Sequence, residues 1–159
     1  MKLAPQSQRT FFVTSVTAQR RRILQSLHMA NLLIGVLREN REKRRLQLHE
    51  FVIMPDHVHL ILTPAPEISL EKAMQFVKGG FSYRAKKELG YLFEVWERSF
   101  TEHRIKDYEE FKTHRDYVLK NPLKAGLVSY PYSSTSALME LDPIPPWLKP
   151  QSRVASSQS

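Results

Sequence analysis

Four residues in two short stretches have the types and spacing to act on a phosphate. In "FVIMPDHVHLILTP" (51–64), His57 and His59 stand one residue apart within an otherwise apolar run. Side chains of a strand alternate between its faces, so both imidazoles project from one side with their Cα atoms about 6.5–7 Å apart. That separation lets two rings converge on one metal ion, while Val58, Leu60 and Leu62 form an apolar row on the other face. In "DYVLKNPLKAGLV" (116–128), Tyr117 and Asn121 are four apart and share one face of a helix. A tyrosine hydroxyl has a reference pKa of ~10, so it must lose its proton during attack. A nearby divalent ion stabilises the charge that develops. The amide oxygen of Asn121 is a ligand suited to a hard cation.

Taken singly, each feature has a plainer reading. A bare His-x-His is more often two polar residues on a solvated sheet face, a lone helical tyrosine more often packs, and an asparagine before proline more often caps a helix. A metal site also needs a third ligand and a hydrogen-bond partner for each ring. Asp56 is adjacent but falls on the opposite face of a regular strand, and it reads as a turn residue beside Pro55. The weight lies in the combination, a His-x-His strand followed by a helical Tyr-x-x-x-Asn.

The rest of the chain must position these groups. Its 159 residues correspond to one domain with room for a hydrophobic core. It has 24 Lys+Arg against 16 Asp+Glu, a net charge of +8, which suits a polyanionic partner, nucleic acid before a membrane surface. The absence of cysteine excludes disulfides and thiolate chemistry. No apolar run approaches the ~20 residues of a membrane span. The N-terminal "MKLAPQSQRT" has no signal-type apolar core, so a cytoplasmic, nucleoid-associated protein is expected.

Residues 9–17 read as a strand and 18–22 as a basic loop. A helix is expected from about Ser26 to Lys43, with Met29, Leu33, Val36 and Leu37 at helical spacing. The runs 46–54 and 57–63 flank Pro55-Asp56 as a hairpin. A helix follows over 69–90, capped by Ser69 and broken or loosened at Gly79-Gly80. Residues 93–105 read as a further strand or two short ones, and 107–121 as a helix capped by Asp107 and ended by Pro122. The resulting order, β-α-β-β-α-β-α, predicts an α+β, ferredoxin-like antiparallel sheet with helices over one face. The domain spans 1–148, followed by a polar tail, 149–159, expected to be disordered.

"VIMPDHVHLIL" and "YVLKNPLKAGLV" together resemble the two signatures of the single-tyrosine HUH transposases. "PYSS" (131–134) and "WERSFTEHRIKD" (96–107) are similar to segments of the REP-associated tyrosine transposase branch. The resemblance runs from about Thr10 to Trp147. It implies a nuclease that cuts single-stranded DNA beside an imperfect, REP-like hairpin, leaves a 5′-phosphotyrosine link and a free 3′-hydroxyl, and can rejoin strands. By position it makes Tyr117 the nucleophile and His57, His59 and Asn121 the ligands of Mg²⁺ or Mn²⁺. Many relatives carry glutamine where this chain has the shorter Asn121. The branch implies a monomer, although some relatives exchange the catalytic helix between two subunits.

Candidate phosphate contacts form patches: Arg20, Arg21 and Arg22; Lys78, Arg84, Lys86 and Lys87; Arg98, Arg104 and Lys106. Tyr83 could stack on unpaired bases, whereas Phe81 suits the core. His103 and Glu102 are further candidates for lining the site, and Lys120 has no assigned role. Two other readings stay open: a DNA-binding module that kept the fold without turnover, and a metal-dependent phosphodiesterase that uses activated water.

Overall fold

The computed structural model describes residues 2–124 and 139–150, with the backbone alone for 122–124. The N-terminal aromatic and β-branched run forms strand β1 (Phe11–Val16), whose residues alternate between buried and half-buried. Helix α1 (Leu27–Glu42) starts where its cap lies, the Ser26 hydroxyl accepting the Met29 N–H at 3.4 Å. Strands β2 (Leu46–Met54) and β3 (His57–Pro64) form the hairpin around Pro55-Asp56. Helix α2 (Leu70–Leu89) is capped by Ser69 and closed by Gly90, whose φ of 68° lies in the left-handed region glycine enters without strain. Strand β4 (Thr101–Arg104) and helix α3 (Tyr108–Lys124) complete the expected order. Asp107 caps α3 by accepting the Glu110 N–H at 2.9 Å.

The four strands form one antiparallel sheet in the order β2-β3-β1-β4, the α+β, ferredoxin-like arrangement expected. The central pair is β1 and β3, with Thr14 opposite His59 and Val16 opposite His57. A bulge at His49 shifts the β2 register between Leu48 and Glu50. It keeps Leu46, Leu48, Phe51 and Ile53 on one face despite their broken parity.

The helices do not all lie on one face. Helices α1 and α2 cover the main core, built on Val13, Val58, Leu60 and Leu62. Helix α3 packs on the opposite face, where Val52, Met54 and Ile61 meet Phe111, Val118 and Leu148. A second apolar cluster on that side draws α3 over it, so the histidine face of β3 is also covered. The glycine pair does not break α2: the helix runs through Gly79 and Gly80, and a Cβ on Gly80 would already sit 3.5 Å from Val36 of α1. At Gly80 packing against α1 offsets the ~1 kcal/mol propensity cost of a helical glycine. Helix α3 likewise continues past Pro122 to Lys124, although proline supplies no N–H to the helical ladder. Residues 93–105 yield the short β4 and a single bridge, Thr17 to Trp96. The "PYSS" segment and most of the expected tail, 151–159, lie outside the described residues.

Two polar ties hold the edges of this frame. Asp142 accepts a forked pair of hydrogen bonds from Arg41, both 3.0 Å, and the Leu48 N–H at 2.8 Å, joining residues 139–150 to α1 and β2. Buried Arg9 donates to four carbonyl oxygens, those of Ala4, Ala65, Pro66 and Ile68, at 2.8–2.9 Å. It thereby fastens the loop after β3 to the start of β1. A lysine has one ammonium and cannot reproduce this fork. Arg9→Lys is expected to lower the unfolding free energy by about 2 kcal/mol, because buried carbonyls lose their donors. Urea unfolding checks this, and a midpoint equal to wild type would show that the fork is dispensable.

Candidate active site

The site is built where α3 crosses the central strands. His57 begins β3 and His59 follows on the same face, their ring centroids 4.7 Å apart at 73°. Helix α3 brings Tyr117 across to them, its ring centroid 5.3 Å from that of His59. One turn further along α3 lies Asn121, buried at 8% exposure, whereas Tyr117 is 44% exposed and open to a large substrate. The structure thus brings His57, His59 and Tyr117 together and seats Asn121 on the same helix face.

Each histidine ring has a partner at Nδ1. Asp56 Oδ1 lies 2.7 Å from His57 Nδ1, and Arg20 reaches the other Asp56 oxygen at 3.2 Å. Burial alone would raise the Asp56 pKa, but hydrogen bonding and charge from His57 and Arg20 hold its carboxyl below the usual value. Asp56 therefore orients a ring as well as shaping the turn: the turn breaks strand alternation and lets its carboxylate fold onto its neighbour. Thr14 Oγ1 lies 2.8 Å from His59 Nδ1 across the β1–β3 pairing. Thr14 has no signature in the sequence, because only the strand register brings it to His59.

The remaining nitrogen of His59 is the most informative atom in the site. His59 Nε2 is buried and has no hydrogen-bond partner among the described residues. An unsatisfied buried polar atom costs about 1–3 kcal/mol, and a bound metal ion would satisfy it. In the tautomer whose Nδ1–H donates to Thr14, Nε2 presents a lone pair, the form in which imidazole ligates metals. Burial, and secondarily the charge of His57, lower the His59 pKa to about 3, so the ring is neutral at pH 7. Among the described residues no three His, Asp or Glu side chains cluster so as to hold a metal. The feature that fits a metal is the unpartnered His59 Nε2 with the His57 ring beside it, 4.7 Å between centroids.

An aromatic support surrounds these groups. Phe12 stacks on His59 at 5.2 Å and on His114 at 4.6 Å, and meets Tyr117 edge-on at 6.0 Å. His103, opposite Phe12 on β4, lies 4.9 Å from His114 and 3.5 Å from Glu110. It therefore flanks the site, whereas Glu102 pairs with Val13 and so belongs to the other face. Among the basic candidates, Arg20 supports Asp56, and Arg22 donates to Gln25 at 3.2 Å. Arg84 is held between Glu88 and Glu39 at 2.7 and 3.7 Å. Arg104 donates to the Gln8 carbonyl at 3.2 Å, and the Lys106 backbone N–H donates to Glu110 at 2.7 Å. Lys78 donates to the carbonyls of Glu97 and Ser99 at 3.0 and 3.3 Å. Arg21 lies over the Phe93 ring, Lys86 and Arg98 line the hollow beside residues 91–98, and Lys87 lies over the Tyr83 ring. Phe81 is fully buried in the core, as expected, and Tyr83 is exposed.

The sign of the His59 shift sets a pH dependence of stability. The folded-state pKa lies below the ordinary 6.5, so above about pH 6.5 the folded and unfolded states bind protons equally at this ring. As pH falls toward 3 the unfolded chain takes up a proton that the native ring refuses, and stability is lost across that window. Metal-free wild type is expected to lose more stability than His59→Asn between about pH 7 and pH 4.5, as read from urea midpoints. Parallel losses in the two proteins would refute the buried neutral ring.

Comparison with known proteins agrees with this geometry. Residues 6–121, most of the chain, match the family model described as "Transposase IS200 like". A REP-associated tyrosine transposase of Escherichia coli K12 is 26% identical over 130 residues, 79% of this chain and 75% of that protein. A Haemophilus influenzae relative ascribed to the same class is 31% identical over 96 residues. That match covers 52% of this chain and about half, 54%, of the relative. A solved REP-associated tyrosine transposase bound to a REP hairpin shares the fold, with a TM-score of 0.63 at 23% identity over 94% of this chain and 93% of that one. By its strand histidines, its helical tyrosine and the family model that spans both, this chain belongs to the IS200-like transposases.

Proposed function

We propose that this chain nicks and rejoins single-stranded DNA beside a hairpin, with Tyr117 as the nucleophile. The observation that carries this reading is the accessible Tyr117 ring 5.3 Å from His59, whose buried Nε2 lacks a partner. The relative solved with a REP hairpin supports a DNA hairpin as the ligand class. Among the described residues no helix is long and apolar enough to cross a membrane.

The Tyr117 hydroxyl attacks the scissile phosphorus and releases its proton to solvent. The P–O3′ bond breaks, leaving the 5′-phosphate on Tyr117, and the departing O3′ takes a proton from solvent to become a 3′-hydroxyl. Attack of a 3′-hydroxyl on that phosphotyrosine reverses the step and joins strands. His57, His59 and Asn121 would hold Mg²⁺ or Mn²⁺, which when bound polarises the scissile phosphate and neutralises charge. Asp56 and Thr14 keep the Nε2 atoms of the two rings available. Phe12, packed against His59 and Tyr117, fixes the spacing between nucleophile and ligands. The reading treats the chain as a monomer, with β3 and α3 of one subunit completing the site.

The direct test mixes the protein with labelled hairpin DNA from repeats flanking its own gene, in Mg²⁺ or Mn²⁺. A denaturant-resistant protein–DNA adduct is expected from wild type and none from Tyr117→Phe, which should still bind the hairpin. Cleavage by that variant at the wild-type rate, without adduct, would establish activated water instead. Binding with neither cleavage nor adduct would establish a DNA-binding module. Thr14→Val should weaken Mn²⁺ binding about 10- to 100-fold, the usual consequence of losing a ring's hydrogen-bond partner. Calorimetric titration with Mn²⁺ reads this directly, and unchanged affinity would remove Thr14 from the site.

A further inference from the structure

We propose that a groove running from Thr14 and Arg20, which support the histidines, around the β4 edge to the outer side of α2 is a track for single-stranded DNA. It consists of three adjoining hollows of about 320, 260 and 430 Å³. Phe100 lines the first and second, and Lys78, Gly79 and Arg98 line the second and third, so the three form one path. The path opens at Arg20, whose guanidinium holds Asp56, the carboxylate that orients His57. It ends beside Tyr91, Phe93 and Lys86.

The path is marked by repeated pairing of a cation with an aromatic ring. Lys78 lies 5.8 Å from the Phe100 ring and Arg21 5.4 Å from the Phe93 ring. Lys87 lies 5.6 Å from the Tyr83 ring on the adjoining face of α2. Phe93 and Tyr83 are 66% and 64% exposed, and neighbouring Leu92 is 75% exposed. Leu92 and Phe93 are adjacent, and contiguous exposed apolar surface of this kind marks interaction sites. Glu71, Glu94 and Glu97 also border the path, so its charge is only moderately positive and phosphate attraction alone does not account for it. Rings beside cations suit a strand whose bases are unpaired, each base stacking while its phosphate passes a Lys or Arg. A duplex keeps its bases stacked on one another and offers these rings nothing. The occupant is therefore the single strand that continues from the scissile phosphate; naming it DNA rests on the function proposed above.

Fluorescence anisotropy tests this with the full chain and labelled oligothymidylate of about 16 nucleotides, against a duplex of equal length, in EDTA. Phe93→Ala is expected to weaken oligothymidylate binding about tenfold, with Tyr83→Ala acting in the same direction and duplex binding unchanged. Phe93→Trp should retain wild-type affinity, which separates loss of stacking from loss of folding. Unchanged oligothymidylate affinity in both alanine variants, or an equal loss on the duplex, would overturn the track. Because no cleavage is required, failure of Tyr117 to form an adduct would leave this result standing, and unchanged oligothymidylate binding in the alanine variants would leave the adduct test standing.

Discussion

Strand β3 is covered on both faces, and that burial sets the terms on which histidines can occupy it. On the side of α1 and α2 the strand presents Val58, Leu60 and Leu62 to the main core. On the other side α3 lies across His59 and Ile61. A buried imidazole resists protonation and needs its ring nitrogens satisfied. Thr14 supplies one partner to His59, and the unpartnered Nε2 defines what a ligand must supply. The same covering helix carries Tyr117, so the burial that neutralises His59 also delivers the group proposed to react.

The elements away from the site hold that cover in place. Helix α3 is fastened through Phe111, Val118 and Leu148, the last belonging to a segment that returns to the sheet after residue 138. The Arg41–Asp142 fork and the Leu48 N–H anchor this segment at one end. Near its other end the Trp147 indole donates to Thr10 at 3.3 Å. His49, the bulged residue of β2, bridges Thr63 and the Asp142 carbonyl, so the β2 irregularity serves as an attachment point. The active face is thus a layered structure in which a C-terminal strap, a helix and two central strands constrain one another.

Much of the fold was legible from periodicity and caps. The positions of β1, α1, the β2–β3 hairpin, α2 and α3 follow from period-2 and period-3.6 patterns bounded by Ser26, Ser69 and Asp107. The failures share a physical cause. Gly79-Gly80 and Pro122 are local signals for interruption, and in both places packing or ladder hydrogen bonds already in place outweighed them. The placing of every helix on one face failed because Val52, Met54 and Ile61 form an apolar row too mixed with polar residues to be read as a second core before the strands are paired.

The chain alone determined the chemistry: which residues could bind a metal, which could attack a phosphate, and that a basic domain would suit nucleic acid. These depend on residue type and on spacing within one strand or one helix, where geometry repeats every two or 3.6 residues. Tertiary structure alone decided which groups support them. Thr14, Phe12 and His114 reach the site from positions far apart along the chain, through strand register and helix docking that no local period encodes. The turn before β3 likewise moved Asp56 from the face a regular strand would give it onto the His57 ring. Burial too is a property of the assembled layers, and it is burial that makes His59 neutral and leaves its Nε2 unsatisfied, while Tyr117 stays at the accessible edge.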